Sequence, residues 1–276
     1  MSAKRQNMIR RACSRGWTVW RMARLYRNWP IALLDKLHFL HRRPITYRFW
    51  NGVELSVRAC TYDSLICKEV WIDKVYSCSP GFSIVDNWVI ADVGGHIGIF
   101  SIFAATRARN VKVYTFEPSS ENFVLLSHNI ERNKLSNVTA FNVAIGASDG
   151  ESNLHLYADG GQNSFLQRST GLPISDVKIE TWSMKTMLNT IASPLNLLKM
   201  DIEGMEYEAI LSCSLDDLQR IERIALEYHH DDLIRTPHRV SELVDFLRAG
   251  GFGVYLHPER EILVAQREPV AQTNEM

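Results

Sequence analysis

The chain has 276 residues, of which 46% are hydrophobic and 22% are charged. This composition can fill the core of a catalytic domain, and it excludes collagen-like, linker-like and wholly disordered chains. The formal net charge is zero, but residues 1–48 contain twelve Lys and Arg and one Asp, a net charge of +11, so the remaining residues carry −11. The sequence therefore predicts a basic leader followed by an acidic main body.

The cysteine pattern and the hydropathy profile bear on location. The five cysteines are odd in number and include no C-x-x-C pair, which disfavours a zinc ribbon or a disulfide framework and favours a reducing compartment. The most apolar stretch, 84–105, is interrupted by Asp86, Asp92 and His96. We therefore expect neither a signal peptide nor a transmembrane helix. The predicted location is cytoplasmic, with peripheral contact to a membrane left open.

Residues 1–44 form the predicted leader. Apolar residues recur at helical spacing from Met8 to Tyr26, with arginines and tryptophans between them, a pattern typical of an amphipathic basic helix. Three uses of such a helix stay open: contact with anionic lipid, contact with a phosphorylated or nucleic-acid partner, and packing on the acidic body of its own chain. An Arg-rich start is also typical of an organelle transit peptide.

A β-hairpin is expected directly after the leader. Residues 45–49 and 53–57 flank Asn51 and Gly52, the dipeptide that favours a type I′ turn with two positive φ angles. A helix is predicted over 63–76 before Pro and Gly mark a boundary.

From Trp88 onward, short apolar runs alternate with helical patterns, which is typical of a doubly wound, mostly parallel α/β sheet of Rossmann-like type. The predicted strands are 88–91, 111–116, 138–143, 195–200 and 221–228. The predicted helices are 99–108, 120–133, 205–212 and 239–249. An antiparallel hairpin is expected at the C-terminal edge of the sheet, over 252–256 and 262–265. The predicted units are a basic leader (1–44), a hairpin and helix subdomain (45–83) and a cofactor-binding domain (84–276).

A glycine-rich loop lies between the first strand and the first helix of the alternating region. Its glycines, Gly94, Gly95 and Gly98, allow close approach to a ligand, and the following helix offers free N–H groups. A dinucleotide fingerprint needs G-x-G-x-x-G, but His96 stands two residues after Gly94. The D-x-G-x-x-x-G pattern suits S-adenosylmethionine instead, with Asp92 orienting the loop or the cofactor's ammonium group. Glycines required only for tight strand-to-helix packing are the alternative.

Glu117 stands at the end of the second strand, directly before Pro118. A carboxylate at this place can accept hydrogen bonds from both hydroxyls of an adenosyl ribose. Gly98 and Glu117 are 19 residues apart, as a β-α-β unit requires. The alternative is that Glu117 has no ligand and only stabilises the N-terminus of the next helix, where the helix dipole favours a negative charge.

Three blocks in this order resemble the FkbM-type methyltransferases over roughly 45–264. They are Asp92–Gly98, Phe116–Ser119 with Glu121–Phe123, and Leu197–Glu206. The resemblance implies a class I methyltransferase fold, S-adenosyl-L-methionine as cofactor, and a hydroxyl acceptor on a sugar, glycolipid or polyketide. It also implies adenine contacts at Val143 and Ala144. Two positions depart from the family pattern, His96 in place of a common Asn and Lys185 near a common Asp. The predicted cofactor-binding residues are Asp92, Gly94, Gly95, His96, Gly98, Glu117, Pro118, Val143 and Ala144.

Candidate catalytic residues follow the fourth and fifth strands. An alcohol needs a base, a metal or close in-line positioning before it attacks a methyl group. Lys199, Asp201 and Glu203 come from one strand end, and Glu227 and His229 from its expected neighbour. Our hypothesis is that His229 or one of the carboxylates takes the hydroxyl proton while Lys199 holds a carboxylate. Two alternatives stay open. These carboxylates and His229 could hold a divalent cation, which we do not predict, or they could pair with one another for a purely structural purpose.

The acceptor itself is predicted only as a class. The polar loop 159–164, with 165–173, is expected to border the acceptor site. The expected partner is a small molecule or a glycan with a free hydroxyl, and no oligomeric state is predicted. An N/D-P-P-aromatic tetrad is missing from the sequence, which disfavours nitrogen methylation. Two other functions stay open: a non-catalytic cofactor-binding scaffold on a membrane or glycan assembly, and a nucleic-acid methyltransferase.

Overall fold

The computed structural model of the chain describes residues 19–40, 43–77, 83–156, 175–229 and 240–267. The strands are β1 (Pro44–Arg48), β2 (Glu54–Arg58), β3 (Val89–Val93), β4 (Lys112–Phe116), β5 (Val138–Phe141), β6 (Ala144–Gly146), β7 (Gly150–Leu156), β8 (Ser175–Ser183), β9 (Leu197–Met200), β10 (Arg223–Glu227), β11 (Phe252–Leu256) and β12 (Ile262–Arg267). The helices are α1 (Trp29–Lys36), α2 (Asp63–Lys68), α3 (Ile99–Ala105), α4 (Ser120–Arg132), α5 (Met184–Ile191), α6 (Glu206–Leu211), α7 (Leu215–Gln219) and α8 (Val240–Ala249).

A seven-stranded sheet organises the molecule in the order β11-β12-β10-β9-β3-β4-β5. The five strands from β10 to β5 are parallel, and β12 runs antiparallel to both β10 and β11. The inner strands are buried on both faces, as the four buried residues of β9 illustrate, because helices cover each side of a parallel sheet. The predicted α/β class, the mostly parallel sheet and the antiparallel C-terminal hairpin are confirmed.

A second, three-stranded sheet in the order β6-β8-β7 follows β5, and the sequence pattern did not predict it. β7 and β8 pair antiparallel from Gly150 to Leu156, but the predicted polar loop between them, with 165–173, lies outside the described residues. The sequences of β7 and β8 are mostly polar, and β6 has only three residues. These strands therefore lack the apolar runs that identify the central strands.

The N-terminal hairpin is present, but the predicted type I′ turn is wrong. The N–H of Phe49 donates to the carbonyl of Val53 at 2.8 Å, so three residues form the loop. Of the two central residues, only Gly52 has a positive φ, at 92°. The Asn51 side chain instead accepts the Val53 N–H, which favours the longer loop.

The helix predicted over 63–76 is interrupted. It consists of α2, a π-helical turn over Glu69–Asp73 and a 3-10 turn over Val75–Ser77. The break falls at Lys74, whose φ of 52° is left-handed. This break matters for function, because it turns Tyr76 toward the carboxyl ends of β9 and β10.

The N-terminal hairpin shares its core with the sheet domain. Tyr26, Phe49, Trp71 and Phe103 form consecutive aromatic contacts with ring centroids 4.1–5.1 Å apart. Such tilted and edge-to-face pairs add to the burial of large apolar surface. In the described part of the chain, no helix is both long and apolar enough to cross a membrane.

Two asparagines near the end of α4 also hold the hairpin in place. Asn129, which is fully buried, accepts the Ser56 N–H at 2.7 Å and donates to the carbonyls of Ser56 and Ile97. Asn133 makes the corresponding pair of hydrogen bonds with the backbone of Glu54. The side chains of Asn129 and Asn133, which directly follows α4, thus satisfy backbone groups of β2 that a neighbouring strand would otherwise bind. Asn129 also links β2 to the loop before α3.

Candidate active site

The glycine-rich loop packs too closely against its neighbours for side chains. A Cβ on Gly94 would clash with the carbonyl of Asp201, and one on Gly95 would clash with the Thr115 hydroxyl. Gly94 also has a φ of 79°, a left-handed conformation that favours glycine. Tight packing alone therefore requires these two glycines, and it places the loop between the ends of β4 and β9.

The Glu117 carboxylate closes this loop from the end of β4. It is 5% exposed and accepts the His96 N–H at 2.8 Å and the Ser119 N–H at 2.9 Å. The Asn122 side-chain amide donates to it at 3.3 Å. Burial raises the pKa of Glu117 to about 7, although these three donors favour the charged form. A carboxylate has about four lone-pair sites, so acceptor capacity is left for further hydroxyl donors.

His96 is held from the N-terminal hairpin, by residues that the sequence did not single out. Its Nε2 lies 3.1 Å from the Arg58 guanidinium and 3.5 Å from the Asp63 carboxylate. Burial lowers the pKa of His96 to about 4, so the ring is neutral near pH 7. Arg58 can only donate, so Nε2 accepts and the ring proton is on Nδ1. The hairpin thus fixes both the orientation and the tautomer of the residue whose N–H binds Glu117.

Unsatisfied polar atoms collect around the same loop. Among the described residues, the buried side-chain atoms without a hydrogen bond include Nδ1 of His96, Oγ1 of Thr115 and Oδ1 of Asn122. Buried polar groups of this kind normally have partners. Together with the free acceptor capacity of Glu117, they fit a polar ligand with ribose hydroxyls. The residues present therefore fit the adenosyl group of S-adenosylmethionine.

Lys199 and Asp92 form a buried ion pair between β9 and β3. Lys199 Nζ lies 3.2 Å from the Asp92 carboxylate and donates to the Gly94 carbonyl at 2.9 Å. Asp92 also accepts the Ser101 hydroxyl at 2.6 Å. Burial opposes the charge on Lys199, but Asp92 and Asp201 outweigh it and raise its pKa. This pair fixes the glycine-rich loop, so it is a positioning device for whatever the loop binds.

Two carboxylates meet at the ends of β9 and β10. The Tyr76 hydroxyl lies 3.2 Å from Asp201 and 3.3 Å from Glu227. Burial and the charge of Asp201 raise the pKa of Glu227 to about 8. A carboxyl group with this pKa is mostly protonated near neutral pH and becomes a base only as the pH rises. No sequence pattern marked Tyr76, since only the break before the 3-10 turn brings it here.

His229 lies beside Asp201 and contacts two further acids. Its Nδ1 is 3.1 Å from Glu206 and its Nε2 is 3.7 Å from Glu203. Burial alone would lower its pKa, but these carboxylates raise it to about 10. A charged imidazolium has no free lone pair, so this environment favours His229 as a cation that holds the acids. The backbone of Glu203 is left-handed, with a φ of 55°.

One cluster in the described residues has the composition of a metal site. Ligand atoms of Asp201, Glu206 and His229 lie within 4.8 Å of one another. Both Glu206 oxygens, however, already accept backbone N–H groups, from Ile202 at 2.9 Å and Gly204 at 2.8 Å. A cation there would compete with the hydrogen bonds that shape the turn after β9.

A cavity of about 550 Å³ opens beside Glu227. Its walls come from the π-helical turn and from the loop between β11 and β12, and they are lined by Glu69, Tyr228, His257 and Arg260 among others. This volume is within the range of small-molecule sites. Any ligand in the cavity would lie next to Glu227, which contacts the Tyr76 hydroxyl.

The other predicted contacts are placed as follows. Val143 and Ala144 are buried between β5 and β6, where Asn142 donates to the carbonyls of Glu117 and Pro118. Lys185, the departure from the family pattern, is exposed on α5.

Comparison with known proteins identifies relatives. A sequence model of the family described as Methyltransferase FkbM domain matches residues 92–254. "Methyltransferase 1" of Beauveria bassiana is 26% identical over 181 residues, which cover 59% of this chain and 72% of the relative. The 31-O-demethyl-FK506 methyltransferase FkbM of Streptomyces tacrolimicus is 25% identical over 255 residues, 82% of this chain and 92% of the relative. The solved precorrin-6y C5,15-methyltransferase of Geobacter metallireducens is 16% identical with a TM-score of 0.40, covering 66% of this chain and 81% of its own.

Proposed function

Because this chain belongs to the FkbM methyltransferase family, we propose that it methylates a hydroxyl group of a small-molecule or glycan acceptor. A relative named for a 31-O-demethyl-FK506 substrate supports oxygen as the acceptor atom. The acceptor class that we propose is a sugar, a glycolipid or a polyketide-like compound. S-adenosylmethionine, when bound, supplies an electrophilic methyl group on a sulfonium and becomes S-adenosylhomocysteine.

The observation that carries this proposal is the environment of Glu117. A buried carboxylate held by the backbone N–H groups of His96 and Ser119 stands at the end of β4, next to the glycine-rich loop. Of its about four lone-pair sites, His96, Ser119 and Asn122 occupy three, and the one left on Oε2 suits a ribose hydroxyl. The loop would hold the methionine part, and Val143 with Ala144 would hold the adenine. Gly98 ends the glycine-rich loop at the start of α3. Pro118 follows Glu117 and precedes α4.

A carboxylate of the Asp201 and Glu227 pair is the proton acceptor in this proposal. A base works best when its pKa is near the working pH, and burial beside Asp201 raises the pKa of Glu227 to about 8. The Tyr76 hydroxyl donates to one carboxylate of the pair and so stabilises the ionised one. The ionised carboxylate accepts the proton of the acceptor hydroxyl, which makes the acceptor oxygen nucleophilic toward the methyl group that the cofactor would supply.

The remaining predicted catalytic residues act by positioning. Lys199 holds Asp92 and the Gly94 carbonyl. The His229 imidazolium holds Glu203 and Glu206, which orders the turn after β9 beside Asp201. The acceptor occupies the cavity next to Glu227, between the π-helical turn and the loop after β11.

A methyl-transfer assay tests the proposal. The full chain is incubated with S-adenosylmethionine labelled in the methyl group and with a panel of glycosides, lipid-linked sugars and polyketide alcohols. We expect label in an ether, which resists mild alkali, and transfer at least about a hundredfold slower with Glu227→Gln. Tight S-adenosylhomocysteine binding without any transfer would favour a non-catalytic scaffold. Label in RNA or DNA would favour a nucleic-acid methyltransferase.

A further inference from the structure

A surface at the N-terminus combines exposed apolar side chains with arginines and lysine. It is formed by residues 19–40 together with Trp50, and we call it the N-terminal face. Its exposed large apolar residues are Trp20, Ile31, Leu34, Leu37, Phe39 and Trp50, with exposed fractions of 37–64%. Its exposed basic residues are Arg21, Arg24, Arg27 and Lys36. Six exposed large apolar side chains on one short part of a folded chain indicate an interaction site.

The exposure follows from how α1 is anchored. Asp35 is buried and accepts the Tyr47 hydroxyl and the Cys60 N–H, and Ala32 is buried on the same side. Positions 34 and 37 lie on the opposite side of a helix with 3.6 residues per turn. The packing that fixes α1 on the hairpin therefore turns Leu34 and Leu37 outward.

Each part of the N-terminal face is ordered by contacts of its own. The Trp50 indole donates to the Ala23 carbonyl at 2.9 Å, which places the hairpin loop beside the helical residues 19–25. The Phe39 N–H donates to the Leu34 carbonyl at 3.0 Å, so the chain after α1 folds back on its last turn. Arg24 stacks over the Trp20 ring at 4.6 Å. The exposed apolar and basic side chains are thus carried by ordered backbone.

The charge of the chain indicates the chemistry of the partner. Residues 19–40 carry four basic residues and one buried acid, a net charge of +3, whereas residues 49–276 carry −11, so an anionic surface attracts the N-terminal face and repels the main body. Exposed Leu, Ile and Phe gain little from a nucleic-acid backbone, whereas they gain free energy from a lipid interface together with Trp and Arg. We propose that the N-terminal face docks the protein on an anionic membrane surface.

Vesicle binding by the full chain tests this docking. The probes are vesicles of phosphatidylcholine alone and vesicles with about one-third phosphatidylserine, because juxtamembrane basic residues respond to anionic lipid. We expect binding only to the anionic vesicles, weakened by salt. Arg24→Gln with Arg27→Gln should lower it about thirtyfold, since each basic residue near the surface contributes about fivefold.

Two further variants separate docking from simple charge attraction. Leu34→Gln with Phe39→Gln keeps every charge and should also weaken vesicle binding, because apolar insertion is lost. Lys112→Gln with Lys185→Gln removes two exposed charges from the main body and should leave vesicle binding unchanged. Unchanged affinity for S-adenosylhomocysteine confirms folding of each variant. Equal binding to both vesicle types, binding to neither, or a retained affinity in Leu34→Gln with Phe39→Gln would overturn the proposal, as would arginine-dependent binding to RNA alone.

Discussion

Lys199 and Asp92 form a buried ion pair, 3.2 Å apart, between two neighbouring central strands. Lys199→Met leaves Asp92 charged and buried with only the Ser101 hydroxyl. Removing one partner of a buried pair costs about 3–5 kcal/mol. We therefore expect a large fall in the free energy of unfolding, measured by urea denaturation, with Lys112→Met as the exposed control. A loss below about 1 kcal/mol, the range of exposed pairs, would contradict this role.

Asn129 links the N-terminal hairpin to the cofactor loop, whereas Asn133 contacts only the hairpin strand and its own helix. Asn129→Ala leaves buried groups of Ser56 and Ile97 unpaired, at about 1–3 kcal/mol. We expect Asn129→Ala to lower both stability and the affinity for S-adenosylhomocysteine, the latter about tenfold. Asn133→Ala should lower stability only. Equal affinities of the two variants, measured by calorimetric titration, would show that the hairpin does not position the loop.

The ionisation of Glu227 should set the pH dependence of turnover. Its pKa is raised to about 8, so the base is fully ionised only above that pH. The rate of methyl transfer at saturating substrates should rise with pH through about 8 and then level off. Glu227→Gln should abolish this rise, and the exposed Glu242→Gln should not alter it. A wild-type rate independent of pH across this range would contradict the assignment.

His229 should contribute stability that depends on pH. Its pKa is raised from 6.5 to about 10, so the folded state binds the proton more tightly than the unfolded state. The contribution is fully present below pH 6.5 and is lost as the pH rises through about 10. The stability difference between wild type and His229→Gln should therefore shrink over this window in urea denaturation. A constant difference would show that the imidazole is not charged, with the exposed His128→Gln as the control.

The parallel sheet was predictable from the sequence because each inner strand is a short apolar run between helical patterns, as β3 and β9 show. The positions of Asp201 and Glu227 followed from the same regularity, since carboxyl ends of neighbouring parallel strands lie together. The break at Lys74 could not be predicted, because a left-handed residue there is imposed by tertiary packing. For that reason Tyr76 was missed.

The contacts of the N-terminal hairpin with the rest of the chain could not be predicted from the sequence either. Arg58 reaches His96 across 38 residues of sequence, and Asn129 reaches Ser56 across 73. Neither pair forms a local pattern, and the hairpin lies outside the matched family region of 92–254. The turn type was mispredicted because Asn51 does not adopt the positive φ that a type I′ turn needs. Its side chain instead accepts a hydrogen bond from the Val53 N–H.

The most direct test of the account is calorimetric titration of the full chain with S-adenosylmethionine, S-adenosylhomocysteine and NAD, repeated with Glu117→Gln. We predict saturable binding of both adenosyl compounds, no binding of NAD, and a loss of about ten- to hundredfold in the variant, as expected for hydrogen bonds to a charged group. Exposed Glu131→Gln is the matched control.

The same titration carries a second signature of Glu117. Ribose hydroxyls donate to the ionised form, whose pKa is about 7 in the free protein. Affinity should therefore be greater one pH unit above this value than one unit below it, and Glu117→Gln should remove the difference. Binding of NAD alone, or binding of S-adenosylhomocysteine unaffected by Glu117→Gln, would contradict the account.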